Sequence, residues 1–223
     1  MKKVIILGVG GYCANLLDIM KDINTHLGRD EYQPAGFLDD DEKKIGTEYF
    51  GLPVLGTIQD AASRFPDAYF VNGIGSAQTA WRKQAIIDQT GAAPERFVTL
   101  VHPSAYIAAT ATIGIGTVVA QSCVIMAGAV IGDHVKMLPL ATISYGSKIG
   151  SYSTVASGAV TLSDVKCGLS TYIGANVSII ERGKVGDYCI LGMGTVVLHD
   201  VPENSVMVGN PARFLRHTLP PTA

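Results

Sequence analysis

Two stretches near the N-terminus have the residue types and spacing to hold a phosphorylated ligand. The apolar run Val4-Ile5-Ile6-Leu7 enters Gly8-Val9-Gly10-Gly11 and then Asn15-Leu16-Leu17-Asp18-Ile19-Met20, whose apolar residues have helical spacing. A strand, a tight glycine turn and a helix start make an anion cradle, because the first N–H groups of a helix have no intrahelical acceptor. The third glycine of a G-x-G-x-x-G fingerprint is absent, Cys13 standing in its place. Downstream, Ala35-Gly36-Phe37-Leu38 runs into Asp39-Asp40-Asp41, carboxylates at a strand's carboxyl end that can accept hydrogen bonds from a ribose or a base. A third run, Tyr69-Phe70-Val71-Asn72, ends at Gly73-Ile74-Gly75, and residues 80–89 read as helical. The candidate ligand contacts are therefore Gly8, Gly10, Gly11, Asp39, Asp40 and Gly75. The competing readings are a plain strand-to-helix turn and a solvated acidic turn.

A general base or a zinc site would call on histidine. His26, His102, His134, His199 and His217 are scattered, and only His134 lies between residues 107 and 197, so three histidines cannot converge there and no metal is expected. Cys13, Cys123, Cys167 and Cys189 show no C-x-x-C spacing, which fits a reducing, cytoplasmic setting. Late in the chain Arg182, Lys184, Arg213 and Arg216 could meet phosphates, or serve only as solubilising charges.

These groups need elements to position them, and charge divides the chain. Residues 1–106 carry 10 Lys/Arg and 13 Asp/Glu, whereas residues 107–201 carry 5 of each. The overall charge of −2 gives no nucleic-acid footprint, and a chain that is 48% hydrophobic is too apolar for disorder. Lys2 and Lys3 before an apolar run mimic a signal peptide, but the run is short and lacks a small-residue cleavage site, so it reads as a buried strand. Residues 97–132 contain no Asp, Glu, Lys or Arg, yet they are rich in Gly, Ser and Thr and follow a strict period, so no membrane span is expected.

That period is six. From Ile107 every sixth residue to Val197 is aliphatic or Met in fourteen of sixteen cases, and the position four further on is always small or β-branched. Glycine recurs just after the aliphatic position, as at Gly114, Gly132, Gly150 and Gly168. A helix period of 3.6 cannot sustain this, and a plain strand period of 2 would not single out every sixth residue. A coil with flat faces can, each face a one-hexad strand with one large and one small residue pointing inward. Such a section must hide part of its apolar outer surface, which predicts self-association.

The order of motifs is similar to that of the hexapeptide-repeat sugar O/N-acetyltransferases of the sialic-acid and bacillosamine type. The pieces are Gly8-Val9-Gly10-Gly11, Gly36-Phe37-Leu38-Asp39-Asp40, His102-Pro103-Ser104-Ala105, the hexads and Val208-Gly209-Asn210-Pro211-Ala212. The resemblance implies an α/β N-terminal domain with a short Rossmann-like parallel sheet over 1–101, a left-handed parallel β-helix over 102–202, and a C-terminal extension over 203–223. It further implies a homotrimer, a nucleotide-linked amino sugar on the α/β domain, and acetyl-CoA or another acyl-CoA along the late coils. The residues carried over to the acyl-CoA are Gly174, Ala175, Lys184, Gly192, Gly209, Pro211 and Arg213.

In this family a histidine followed by an acid is the general base, and the matching stretch reads Ser144-Tyr145-Gly146. Tyr145 takes the base position, Gly146 the acid position, Leu138 the place of a frequent Asn, and Ser163 that of a Gly whose backbone N–H faces the thioester oxygen. His134 sits at a hexad position pointing out of the coil, where it could line a groove between subunits and act as substitute base. A hydroxyl acceptor would suffer from the missing base by roughly 10²- to 10⁴-fold. An amine, partly neutral near pH 7, would not, and the leaving thiolate, conjugate to a thiol of pKa about 8.5, can collect the proton. The expected activity is N-acylation of a nucleotide-linked amino sugar in surface polysaccharide biosynthesis. The alternatives are a catalytically silent homologue acting as scaffold or regulatory partner, and a sugar O-acetyltransferase using His134.

Overall fold

A computed structural model describes residues 1–218; the last five residues of the expected C-terminal extension lie outside the described residues. The N-terminal part holds a three-stranded parallel sheet in which Lys2–Leu7 lies between Tyr32–Leu38 and Tyr69–Asn72. The helix Gly11–Leu27 follows the glycine turn and ends at Gly28, whose φ of +63° lets its N–H reach back to Asn24 and Thr25 carbonyls. Its buried residues Cys13, Leu16, Ile19, Met20 and Ile23 form one stripe. The region read as one helix from 80 is a 3₁₀ turn, Ala80–Arg82, running into the helix Lys83–Gln89.

From Leu100 the chain winds into a parallel β-helix with three faces. Val124–Ile125 pairs with Thr142–Ile143 on the first face, Val130–Ile131 with Lys148–Ile149 on the second, and Lys136–Met137 with Thr154–Val155 on the third, each eighteen residues apart. The aliphatic hexad positions and the small ones four residues on fill the bore, from Val119 through Ile143 and Ala159 to Val197. At Thr117, Ser147, Ser153 and Thr171 the small position carries a hydroxyl that bridges coils: Ser147 Oγ donates to the Leu162 carbonyl at 2.8 Å and accepts the Val165 N–H at 3.1 Å. Corners turn through a left-handed residue every sixth position, as at Gly128, His134, Leu140, Gly146, Tyr152 and Asp164.

The glycine just after the aliphatic position is needed for a different reason, close stacking. A methyl on Gly150 would meet the Gly168 carbonyl group and stand 2.8 Å from Leu169 N, all backbone of the next coil. Gly150→Ala is therefore expected to destabilise the fold by about 2 kcal/mol, read as a lower urea midpoint at unchanged slope; an unshifted midpoint would show that the coils can separate freely.

The third face is where the N-terminal part sits. The helix stripe Leu16, Ile19 and Ile23 shares one core with Leu100, Val118 and Ala120 of the first coils. His102 fastens the seam: its Nδ1 accepts the Ser104 N–H at 3.1 Å, so its Nε2–H donates to Asp22 of the helix at 3.0 Å.

Candidate functional site

The glycine turn opens onto a cavity of about 390 Å³, lined by Gly8, Gly10, Gly11, Asp39, Gly75 and, from the β-helix, Lys136. Gly10 caps the helix without a side-chain bond, and its first turn holds no acid, so the leading N–H groups face the cavity uncompensated. A methyl on Gly10 or Gly11 would touch nothing within 4 Å, so the protein's own packing does not demand glycine there; the space suits a ligand approaching the backbone.

The acids at the end of the second strand are used differently from the sequence reading. Asp39 accepts the Val9 N–H at 2.8 Å and the Lys44 ammonium at 3.0 Å through Oδ2, and the Asp41 N–H at 3.0 Å through Oδ1. It clamps the glycine turn, and its hydrogen bond holds the Lys44 pKa above the ordinary value. Asp40 is exposed, accepts the Ile58 N–H at 2.9 Å, and is not among the residues lining the cavity.

Two lysine side chains meet under the seam. Lys136 Nζ donates to the Gly75 carbonyl at 2.7 Å and lies 4.4 Å from the centroid of the Tyr12 ring. Burial pushes its pKa down to about 8. Lys83, 1% exposed, donates to the Ser153 carbonyl at 2.8 Å and to Thr154 Oγ1 at 2.9 Å. Burial, and secondarily the charge of Lys136, lower its pKa well below that of a free lysine. Among the described residues neither has a carboxylate partner.

His134 does not face an open groove, contrary to the expectation. It points out of the coil, but the N-terminal part covers it: Phe97 meets its ring edge-on at 4.8 Å and Tyr152, one coil on, stacks at 5.5 Å. Its Nδ1 has no hydrogen-bond partner, and burial lowers its pKa to about 4, Asp133 opposing and Lys83 adding to the shift. A ring enclosed in this way cannot reach a substrate in the groove.

Tyr145 is 60% exposed at the corner between the first and second faces. Its carbonyl accepts the Asp164 N–H at 2.8 Å, and the Asp164 carboxylate fills the space that a side chain on Gly146 would take. Ser163, beside it, accepts the Arg182 N–H through its carbonyl, while its own N–H has no acceptor among the described residues and remains a free donor at this corner. Leu138 lies at the other edge of the first face, between Lys136–Met137 and Thr142–Ile143. One chain thus does not bring Leu138 and Tyr145 into one pocket.

Gly174, Ala175 and Gly192 gather at the Leu138 edge, near the end of the β-helix, where Val196 bonds Gly209 and Ala212 next to Pro211. Arg213 opens the last strand, Arg213–His217, and is exposed. Lys184 stands apart on the second face, its N–H bound to Asp200. Lys136, Lys83 and Asp164 were not singled out from sequence. A signal existed for the first: among the leading residues of the third-face strands Leu100, Val118, Lys136, Thr154, Tyr172 and Ile190, it is the only charge.

Fold and cavity together define a class: an α/β unit with a cavity at its glycine turn, docked on a hexapeptide-repeat β-helix. Residues 3–87 match the PglD N-terminal domain family model. A 121-residue stretch is 31% identical to UDP-N-acetylbacillosamine N-acetyltransferase of Bacillus subtilis (strain 168), covering 53% of this chain and 51% of that protein, so the match spans about half the length of that curated relative. The acetyltransferase domain of PglB from Neisseria gonorrhoeae FA1090 superimposes with a TM-score of 0.80 at 23% identity, over 96% of this chain and 100% of that one. PerB from Caulobacter crescentus, solved with CoA and GDP-perosamine, gives 0.76 at 22% identity over 97% and 98%. Among the described residues no helix is long and apolar enough to cross a membrane.

Proposed function

We propose that this chain transfers an acyl group, acetyl in the first instance, from an acyl-CoA to the amino group of a nucleotide-linked amino sugar in surface polysaccharide biosynthesis. The observation that carries the reading is the glycine-turn cavity, with uncompensated helix N–H groups and a buried lysine, seated on a β-helix whose exposed corner holds Tyr145 in place of an imidazole. The similarity of a 121-residue stretch to a UDP-N-acetylbacillosamine N-acetyltransferase supports it.

The reading takes residues 1–101 as the nucleotide-sugar unit, 102–202 as the acyltransfer unit and 203–223 as the extension. It places the protein in the cytoplasm as a homotrimer. Association would bring the Tyr145 edge of one copy to the Leu138 edge of the next, and the exposed Met126, Leu162, Ile180 and Leu198 along the first of these edges supply an apolar contact. An acyl-CoA would lie along Gly174, Ala175 and Gly192. A methyl on neighbouring Gly194 meets nothing, and Arg213 and Arg216 bond only main-chain carbonyls, leaving room and charge for phosphates. The thioester supplies the activated acyl group. The chain's part is to hold the amine against it and to offer the free Ser163 N–H to the developing oxyanion.

Thiol release from acetyl-CoA, followed with UDP-, dTDP- and GDP-linked amino sugars and their hydroxyl counterparts, tests this. Release with an amino sugar and none with its hydroxyl counterpart is expected. Binding of a nucleotide sugar without any release would favour the silent scaffold, which the replacements at Tyr145, Gly146 and Leu138 make the second reading.

A further inference from the structure

Two buried ammonium groups with no carboxylate between them are expensive. A fold that needed only to fill this space would use Met or Leu. Lys83 comes from a helix of the N-terminal part and Lys136 from the β-helix, and they converge beneath Gly75. A methyl on Gly75 would stand 2.9 Å from Lys83 Cε and 3.4 Å from Lys136 Nζ. Both donate only to neutral oxygens, those of Gly75, Ser153 and Thr154. The one carboxylate lining the cavity, Asp39, already has Lys44. The cavity floor is therefore short of negative charge, and its opposite wall is a helix start that also favours an anion.

We propose that Lys136, with Lys83 behind it, reads the diphosphate of the ligand, so that a residue of the β-helix completes the pocket opened by the glycine turn and the ligand bridges the two parts of the chain. This rests on the nucleotide-sugar reading above. A monophosphate brings less charge to the ammonium pair and a nucleoside none, so the site discriminates by charge.

The titratable groups facing Lys136 are Tyr12 and Cys13 of the first helix, both with pKa values raised by burial, and Lys83. His134 lies two residues away on its own coil, its pKa lowered by burial. All four stay uncharged or cationic near pH 8, where Lys136 itself is partly deprotonated, so a bound diphosphate draws a proton onto it.

The test is calorimetric titration of the full chain with UDP, dTDP, GDP, the matching monophosphates and inorganic pyrophosphate. Lys136→Met is expected to weaken diphosphate binding by roughly 10- to 100-fold and to change monophosphate binding less. Repeating the titration at pH 8 in buffers of different ionisation heat should show proton uptake by the parent and none by the variant. Lys136→Gln, which can still donate to the Gly75 carbonyl without charge, should lose binding equally. Neither variant should unfold at a lower temperature than the ligand-free parent, since each removes an uncompensated buried charge. Nucleoside diphosphates that bind both variants as tightly as the parent would overturn the inference and leave the proposed function standing. Lys136-dependent binding of pyrophosphate without binding of any nucleotide would uphold the inference and overturn the nucleotide-sugar reading. A parent that binds none of these probes would overturn both.

Discussion

Tyr145→His should open acyl transfer to the hydroxyl counterpart of the amino sugar, raising that rate by roughly 10²-fold or more near neutral pH. Imidazole changes charge between about pH 5 and 8 and can take the proton that a sugar hydroxyl must lose as it attacks, and a phenol hydroxyl offers no comparable base. The corner is built to receive the new ring. Tyr145 is largely exposed, so the replacement disturbs no core, and the Asp164 carboxylate already occupies the space beside Gly146 where an orienting acid would stand. An acid placed at Gly146 itself would have to displace the Asp164 carboxylate, which stands where the new Cβ would lie. Initial rates of thiol release at a fixed concentration of the hydroxyl sugar check this, and adding Asp164→Asn to Tyr145→His should remove much of the gain. Equal rates in parent and Tyr145→His with the hydroxyl sugar would show that chemistry occurs elsewhere, and a variant slower than the parent with the amino sugar would give the phenol a role of its own.

Acid should loosen the fold through His134 by about 3 kcal/mol. The folded-state pKa is lowered from 6.5 to about 4 because the ring is buried between Phe97 and Tyr152. Above the unfolded value both states are neutral and His134 gives no pH dependence. As pH falls below about 6.5, the unfolded chain binds a proton that the folded one refuses, so stability drops by about 1.4 kcal/mol per unit until the folded pKa is reached. Asparagine tolerates the left-handed backbone at this position, where φ is +53°, so His134→Asn is a fair comparison. Urea unfolding of both proteins from pH 7 to 4 should show a steeper loss in the parent. Parallel curves would assign the acid sensitivity to other groups.

The β-helix could be read almost residue by residue, because an inward large residue and an inward small one recur with no slip and each pair makes its own strand. The first strand, glycine turn and helix were readable for similar local reasons. What the sequence did not show is which prism face the N-terminal part would cover. The bonds from Lys83 to Thr154 and from Lys136 to Gly75 span 71 and 61 residues, and nothing local to any of these residues announces the partner. His134 illustrates the same point. Its outward direction follows from the hexad, but its burial depends on Phe97 arriving from outside the coil. Asp39 was read as a ligand acceptor from its place at a strand end, and the same place puts it within reach of the Val9 N–H, which it holds.

The eighteen-residue spacing between stacked strands makes chain length a measure of rotation. Six residues added between Thr154–Val155 and Tyr172–Ile173 would preserve the alternation of large and small inward residues. Every later strand would nevertheless turn by a third of a circuit onto the next face, carrying Gly174, Gly192 and the terminal hairpin to a different edge. Adding eighteen would only lift them by one storey. Length variants of this protein should therefore come in whole circuits: a shorter change can fold well and still dismantle the site, because it alters an angle and leaves the hydrophobic pattern untouched.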